Sequence, residues 1–163
     1  MRLTRQTLLR IAKETAQKAA LSDRGLIAAY LTGSLLTDSP FLGGTADIDL
    51  VFVHAELPPV RREIVAVTHE VHLDICHKPR SEYDKPKELR VHPWLGPELY
   101  DPLPLHVSQH FFEFVQAGVR EKYHDPSNVF ARARWFDESA RQTWTELGHE
   151  PTFDPGWLLA YLN

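Results

Sequence analysis

The chain has 163 residues, of which 43% are hydrophobic and 25% charged, a composition typical of a folded globular protein. Its formal net charge of −4 makes extended nucleic-acid binding an unexpected function, because such binding needs many Lys and Arg side chains to neutralise phosphates. A small anionic ligand is not excluded, since a bound metal ion can supply local positive charge. No apolar run reaches about eighteen residues, so we expect no membrane-spanning helix and no membrane partner. Cys76 is the only cysteine, which excludes an internal disulfide and makes the cytoplasm the expected compartment.

The first part of the chain predicts a helix, a strand and a turn. Apolar residues at helical spacing indicate a helix from about Thr4 to Leu21, and a short apolar run indicates a buried strand from Leu26 to Leu31. The turn Thr32-Gly33-Ser34 follows. A short helix is predicted from Ser34 to Asp38, with Ser34 near its N-cap, and residues 39–45, rich in Pro and Gly, are predicted to form a loop.

Further strands are predicted from Ile48 to Val53, from Glu63 to Thr68 and from Val71 to His77. The last of these alternates, with Val71, Leu73 and Ile75 on one face and His72, Asp74 and Cys76 on the other. The six prolines between residues 79 and 104 predict short elements mixed with an irregular crossing segment.

Helices are predicted to dominate the remainder. One runs from Ser108 to Val119, and a longer one runs from Asp125-Pro126 to about Gly148. The longer helix carries an apolar stripe that indicates core or subunit contact, formed by Val129, Ala133, Phe136, Ala140, Trp144 and Leu147. A further helix start near Phe153 runs off the end of the sequence, from which we expect a chain that is trimmed or completed by a partner. The predicted fold class is α/β (α+β): a small mixed, twisted sheet flanked by helices, with a C-terminal helical segment.

The residues most indicative of chemistry are three aspartates and a Gly-Ser turn. Asp47 and Asp49 lie two residues apart at the start of a strand, so both project from one face, while Asp74 lies on the polar face of another strand. If these strands are neighbours, the three carboxylates converge and repel one another. A hard divalent cation such as Mg²⁺ or Mn²⁺ relieves that repulsion, and two such ions about 4 Å apart suit phosphoryl transfer. Gly33-Ser34 complements them, because glycine allows close approach of the backbone to a ligand and a helix N-terminus offers N–H groups to phosphate.

These segments resemble the DNA polymerase β-like nucleotidyltransferase superfamily over residues 26–78. The resemblance implies that Gly33 and Ser34 bind the phosphates of an NTP, with ATP the expected donor. It also implies that Asp47, Asp49 and Asp74 are metal ligands and catalytic residues. Residues 1–105 would then be the nucleotidyltransferase domain and residues 106–163 a helical segment that forms a homodimer or binds a partner protein.

Alternatives remain for each feature. Asp47 and Asp49 are also compatible with an ordinary turn, and His72, Asp74 and Cys76 with a zinc site, although structural zinc takes four N or S ligands. A non-catalytic nucleotide- or protein-binding module, antitoxin-like or regulatory, is the alternative function. The acceptor is not identified by the sequence; a small molecule or a protein hydroxyl is expected.

Overall fold

The computed structural model describes residues 4–37, 46–108 and 110–149. Within these residues the α-helices are α1 (Arg5–Ser22), α2 (Pro86–Leu89), α3 (Leu95–Tyr100), α4 (Phe111–Arg120) and α5 (Pro126–His149), the strands are β1 (Leu26–Thr32), β2 (Ala46–His54), β3 (Arg62–Ala66), β4 (Val71–Pro79) and β5 (Leu103–Val107), and single 3₁₀ turns cover Ser34–Leu36 and Arg80–Tyr83.

The five strands form one mixed sheet in the order β3-β4-β2-β1-β5. β2 and β4 are parallel, whereas the other neighbouring pairs are antiparallel. Helices accompany this sheet and a long helix follows it, so the predicted α+β class with a C-terminal helical segment is confirmed.

Each face of the sheet has its own apolar core. On one face, α1 packs through side chains four residues apart, and the buried residues of this core include Leu8, Ala12 and Ala16 from α1 and Ile48, Leu50, Leu73 and Ile75 from the strands. On the other face, α4 packs against β1 and β2, and the buried residues include Phe112, Val115 and Val119 from α4 and Ala28, Tyr30, Val51 and Val53 from the strands. Burial on both faces explains why β1 and β2 are continuous apolar runs.

The N-terminus of α1 is capped locally. The Thr4 hydroxyl accepts a hydrogen bond from the Thr7 backbone N–H at 3.2 Å, which satisfies one of the donors that a helix start leaves without a partner. At the other end of α1, the Asp23 N–H donates to the Ala19 carbonyl at 2.8 Å. The predicted boundaries of this helix are therefore close to the observed ones.

Three sequence predictions need correction. Strand β5 was not predicted, because the prolines between residues 79 and 104 indicated an irregular segment; it contains Pro104 and lies at the edge of the sheet beside β1, a position that tolerates proline. The helix predicted from Ser108, which is α4, begins at Phe111 instead. Ser108 follows the end of β5, and its N–H and hydroxyl both donate to the Ile27 carbonyl of β1. The helix predicted from Ser34 is one 3₁₀ turn that ends at Leu36; Asp38 and the predicted loop 39–45 lie outside the described residues.

The C-terminal helix α5 is mostly exposed. Its first half contacts the rest of the chain through Arg132, which donates to the Arg90 and Tyr123 carbonyls, and through Trp135 against Trp94. Further along the predicted apolar stripe, Trp144 is 79% exposed. The stripe is therefore exposed at Trp144, whereas Phe136 of the same stripe contacts Trp94. The predicted helix near Phe153 lies outside the described residues.

The boundary expected near residue 105 lies inside β5, which pairs with β1. None of the helices among the described residues is both long enough and apolar enough to cross a membrane.

Candidate functional site

Strands β2 and β4 bring two of the three aspartates side by side. These strands pair in parallel with Asp49 opposite Asp74 and Asp47 opposite His72. Ile48 lies in the core under α1, so the alternation of the strand directs Asp47 and Asp49 to the opposite face. The carboxylates could converge only if these two strands were neighbours, and they are neighbours in the sheet.

Gly33 lies directly against the Asp49 carboxylate. Its φ of +78° is in a region that side chains other than glycine rarely adopt. A Cβ at this position would stand 2.0 Å from Asp49 Oδ2 and 2.8 Å from Asp49 Cγ. Glycine is therefore required here both by backbone conformation and by space, and the turn after β1 is held close to the carboxylate.

Ser34 begins the 3₁₀ turn that follows Gly33. Its carbonyl accepts the Thr37 N–H at 2.9 Å and the Thr37 hydroxyl at 2.7 Å. A single turn has a smaller aligned dipole than the longer helix that the sequence predicted. Any phosphate interaction at this position would consequently depend more on backbone and hydroxyl donors than on a helix dipole.

The electrostatics of Asp49 reflect the crowding of carboxylates. Burial, then the negative charges of Asp74 and Asp47, raise the pKa of Asp49 above its ordinary value, while the Arg62 guanidinium lowers it. The pKa is raised because a carboxylate that is partly desolvated and close to like charges is costly to ionise. A cation placed among these side chains would lower the pKa of Asp49, against the effects of burial and of the two neighbouring carboxylates.

Arg62 on β3 forms a two-point ion pair with Asp74. Its Nε donates to Asp74 Oδ1 at 2.8 Å, and Nη2 donates to Oδ2. The Asp74 side chain is 22% exposed and that of Arg62 is 66% exposed. Both carboxylate oxygens of Asp74 are thus engaged by a cation of the protein itself, a partner that the sequence analysis did not identify.

The carboxylates provide the right donor atoms for Mg²⁺ or Mn²⁺, which prefer oxygen ligands. Among the described residues, however, no three His, Cys, Asp or Glu side chains are arranged as a ready group for a metal ion. Asp74 faces Arg62 instead. If Arg62 released Asp74, the Asp49 and Asp74 side chains, which lie opposite each other on paired strands, would offer oxygen ligands to a divalent ion.

A pocket of about 280 Å³ opens along this face of the sheet; it is lined by Thr32, Gly33, Asp49, Leu50, Val51, Arg62, Asp74, Cys76, Lys78 and Glu98. It unites three of the five residues selected from the sequence, Gly33, Asp49 and Asp74. Asp47 and Ser34 are not among its lining residues, although Asp47 is close enough to raise the pKa of Asp49. Asp47 also lies 3.7 Å from His72, between Oδ1 and Nδ1.

The far end of the pocket is a hydrogen-bonded group that the sequence analysis missed. Lys78 Nζ lies 3.0 Å from Glu98 Oε1, and the same carboxylate accepts the Tyr30 hydroxyl, which bonds to the Tyr83 hydroxyl at 2.9 Å. Burial is the largest cause that raises the pKa of both tyrosines well above the ordinary value. The available signal was Tyr30, because a hydroxyl in a buried apolar strand requires a hydrogen-bond partner.

A second polar cluster lies on the opposite face of the sheet, beside α1. Asp23 Oδ2 is 3.0 Å from His54 Nδ1, His54 Nε2 is 2.9 Å from His77 Nδ1, and His77 Nε2 is 3.2 Å from Glu63 Oε1. Burial, followed by the neighbouring His77, lowers the pKa of His54 below its ordinary value, while Asp23 acts in the opposite direction. This cluster links the end of α1 to three strands and is separate from the pocket.

Comparison of the chain with protein-family models and with curated proteins finds no match, so a functional assignment rests on the pocket and its residues.

Proposed function

We propose that the protein is a nucleotidyltransferase dependent on Mg²⁺ or Mn²⁺. It would transfer a nucleoside monophosphate from an NTP, with ATP the expected donor, to a hydroxyl of a small molecule or protein, with pyrophosphate as the leaving group. The main support is the pairing of Asp49 with Asp74 across parallel strands, with Gly33 in contact with Asp49. The resemblance of the segments around residues 26–78 to polymerase β-like nucleotidyltransferases supports the same reaction.

In this proposal Asp49 and Asp74 hold the divalent ion, and Asp47 contributes from the exposed end of β2. When bound, the ion neutralises the triphosphate and stabilises charge on the oxygens of the transferred phosphoryl group. Gly33 permits the phosphates to approach the backbone beside Asp49, and Ser34 supplies a hydroxyl donor. Asp74, through a carboxylate oxygen, accepts the proton of the attacking acceptor hydroxyl.

The acceptor class is inferred from the charge of the chain. The acidic balance of 22 Asp and Glu against 18 Lys and Arg disfavours a polynucleotide acceptor, which would need a broad basic surface. We therefore propose a small-molecule or protein hydroxyl as the acceptor. We also propose a cytoplasmic location, since Cys76 is the only cysteine of the sequence, and a homodimer or partner protein that uses the exposed face of α5.

The test of the metal site is Asp49→Asn, with Asp101→Asn as a matched control. Asp101 carries the same charge, but it is exposed and pairs with Arg120, away from the pocket lining. We expect Asp49→Asn to abolish Mn²⁺-dependent NTP binding, measured by Mn²⁺ electron paramagnetic resonance and by calorimetry, and to leave the circular dichroism spectrum unchanged. Asp101→Asn should bind as the wild type does. Binding of NTP·Mn²⁺ by Asp49→Asn at wild-type affinity would show that Asp49 is not a ligand.

A second candidate function is a nucleotide- or protein-binding module without turnover. The observation that favours it is the ion pair in which Arg62 engages both oxygens of Asp74. Incubation with each α-labelled NTP, Mg²⁺ or Mn²⁺, and a metabolite or lysate pool separates the two functions. Transfer of label to an acceptor supports the enzyme, whereas NTP binding with no transfer in the presence of Mg²⁺ or of Mn²⁺ supports the binding module.

A further inference from the structure

The ion pair between Arg62 and Asp74 occupies the atoms that a metal ion would need. A guanidinium that donates to both oxygens of one carboxylate is a strong and directional partner. Asp74 is held in this way from the neighbouring strand, since Arg62 belongs to β3 and Asp74 to β4. A divalent ion at Asp49 and Asp74 must therefore compete directly with Arg62.

Arg62 is well placed to leave this position. β3 is an edge strand of the sheet and all five of its residues are exposed, so the side chain can turn towards solvent without any rearrangement of a core. The Arg62 side chain is 66% exposed, so solvent ions screen its attraction to Asp74 and its guanidinium can be rehydrated when it leaves. A divalent ion has twice the charge of a guanidinium and competes for the same carboxylate oxygens.

The pocket itself suggests where the released guanidinium binds. Among the described residues that line the pocket, two are basic, Arg62 and Lys78. Lys78 is 13% exposed and is paired with Glu98, so its charge is already compensated. Arg62 lines the same pocket as Asp49 and Gly33 and is 66% exposed, and once it leaves Asp74 its planar set of donors suits phosphate oxygens.

From this arrangement we infer that Arg62 exchanges partners during the reaction cycle. It holds Asp74 in the absence of a divalent ion, releases it when the ion binds, and then binds phosphate oxygens of the NTP. The inference rests on the proposed function and makes Arg62 a positioning residue for the metal site and a binding residue for the nucleotide.

The test compares Arg62→Gln, Arg62→Lys and a matched control, Arg61→Gln. Arg61 is the preceding residue, is similarly exposed and pairs with Glu82 rather than with an aspartate of the site. Mn²⁺ affinity is measured without nucleotide by electron paramagnetic resonance, and ATP affinity is measured by calorimetry at saturating Mn²⁺. Urea denaturation of every variant verifies that it is folded.

Opposite effects on metal and nucleotide are expected. Arg62→Gln should bind Mn²⁺ about tenfold more tightly than the wild type, because the guanidinium that competes with Mn²⁺ for Asp74 is lost. It should bind ATP about tenfold more weakly, because one phosphate contact is lost. Arg62→Lys keeps the charge but not the two-point geometry, so its Mn²⁺ affinity should also rise. Arg61→Gln should change neither affinity by more than about twofold.

Other outcomes would overturn the inference. The inference predicts a higher Mn²⁺ affinity for Arg62→Lys than for the wild type, so equal affinities would contradict it. Equal changes in Mn²⁺ affinity for Arg61→Gln and Arg62→Gln would also contradict it, because Arg62 would then act only through its long-range positive charge. Unchanged ATP affinity in Arg62→Gln would refute the phosphate contact. If Asp49→Asn abolishes Mn²⁺ binding and the Arg62 variants leave it unaltered, the inference fails while the proposed function stands. If the wild type and all variants fail to bind Mn²⁺, both fail.

Discussion

Replacing Gly33 by alanine perturbs the closest contact between the turn after β1 and the metal-binding aspartates of the proposed site. The added methyl group would stand 2.0 Å from Asp49 Oδ2, whereas ordinary contacts begin at 3.4 Å, so the oxygen must move by about 1.4 Å or the turn must shift. The backbone must in addition keep an alanine at φ +78°. The substitution thus acts on conformation and on space at the same point.

The expected cost follows from these two effects. A side chain other than glycine in a sparsely populated backbone region costs about 1–3 kcal/mol, and the steric clash adds to this cost, so we expect the free energy of unfolding to fall by at least about that amount. The displaced Asp49 carboxylate should lose its alignment with Asp74, so Mn²⁺ affinity should fall by about tenfold or more, because metal sites tolerate only small displacements of their ligands.

Gly25→Ala is the matched control for this experiment. Gly25 precedes β1 as Gly33 follows it, and the atoms nearest to a Cβ at Gly25 would belong to the flexible Asp23 side chain, the first of them at 3.0 Å. Urea denaturation gives the free energy of unfolding of both variants, and Mn²⁺ electron paramagnetic resonance gives their affinities. Gly25→Ala should retain Mn²⁺ binding. Wild-type stability together with wild-type Mn²⁺ affinity in Gly33→Ala would refute the close contact between this turn and Asp49.

Two further predictions concern the fold. Phe112 is 1% exposed and Phe114 on the same helix is 73% exposed, so Phe112→Ala should lower the free energy of unfolding by about 3–5 kcal/mol and Phe114→Ala by no more than about 0.5 kcal/mol; similar urea midpoints for the two variants would contradict the orientation of α4. The pKa of His54 is lowered in the folded protein, so below its ordinary value of 6.5 the unfolded chain takes up a proton before the folded one and the wild type loses stability as the solution is acidified. His54→Gln lacks this contribution, so the stability advantage of the wild type over the variant should shrink between about pH 7.5 and pH 5.5. A constant difference across that range in urea denaturation would disprove the assignment.

The site was partly predictable because some of its features are local. A strand has a period of two residues, so the sequence alone placed Asp47 and Asp49 on one face and Asp74 on the face opposite Leu73 and Ile75. The boundaries of α1, β1 and β4 were also predicted within a few residues, since apolar spacing and turn residues act over short distances. The turn at Gly33 after the buried strand was predicted for the same reason, whereas its positive φ is seen only in the structure.

Strand order, by contrast, was decided only by the tertiary structure. The pairing of β2 with β4 rather than with β3, which precedes β4 in the chain, sets Asp49 beside Asp74, and no local pattern specifies that choice. β5 was not predicted because Pro104 and the prolines before it disfavour a central strand, although proline is tolerated at an edge.

The contacts of polar side chains were likewise decided by the tertiary structure. Arg62 is an ordinary exposed residue in the sequence, and only the antiparallel pairing of β3 with β4 places its guanidinium on Asp74. The link from Lys78 through Glu98 to Tyr30 joins residues that are far apart in the chain. The sequence by itself thus determined which faces of the strands are polar, because that depends on neighbours one and two residues away. Which polar groups meet depends on long-range packing, and only the folded chain decides it.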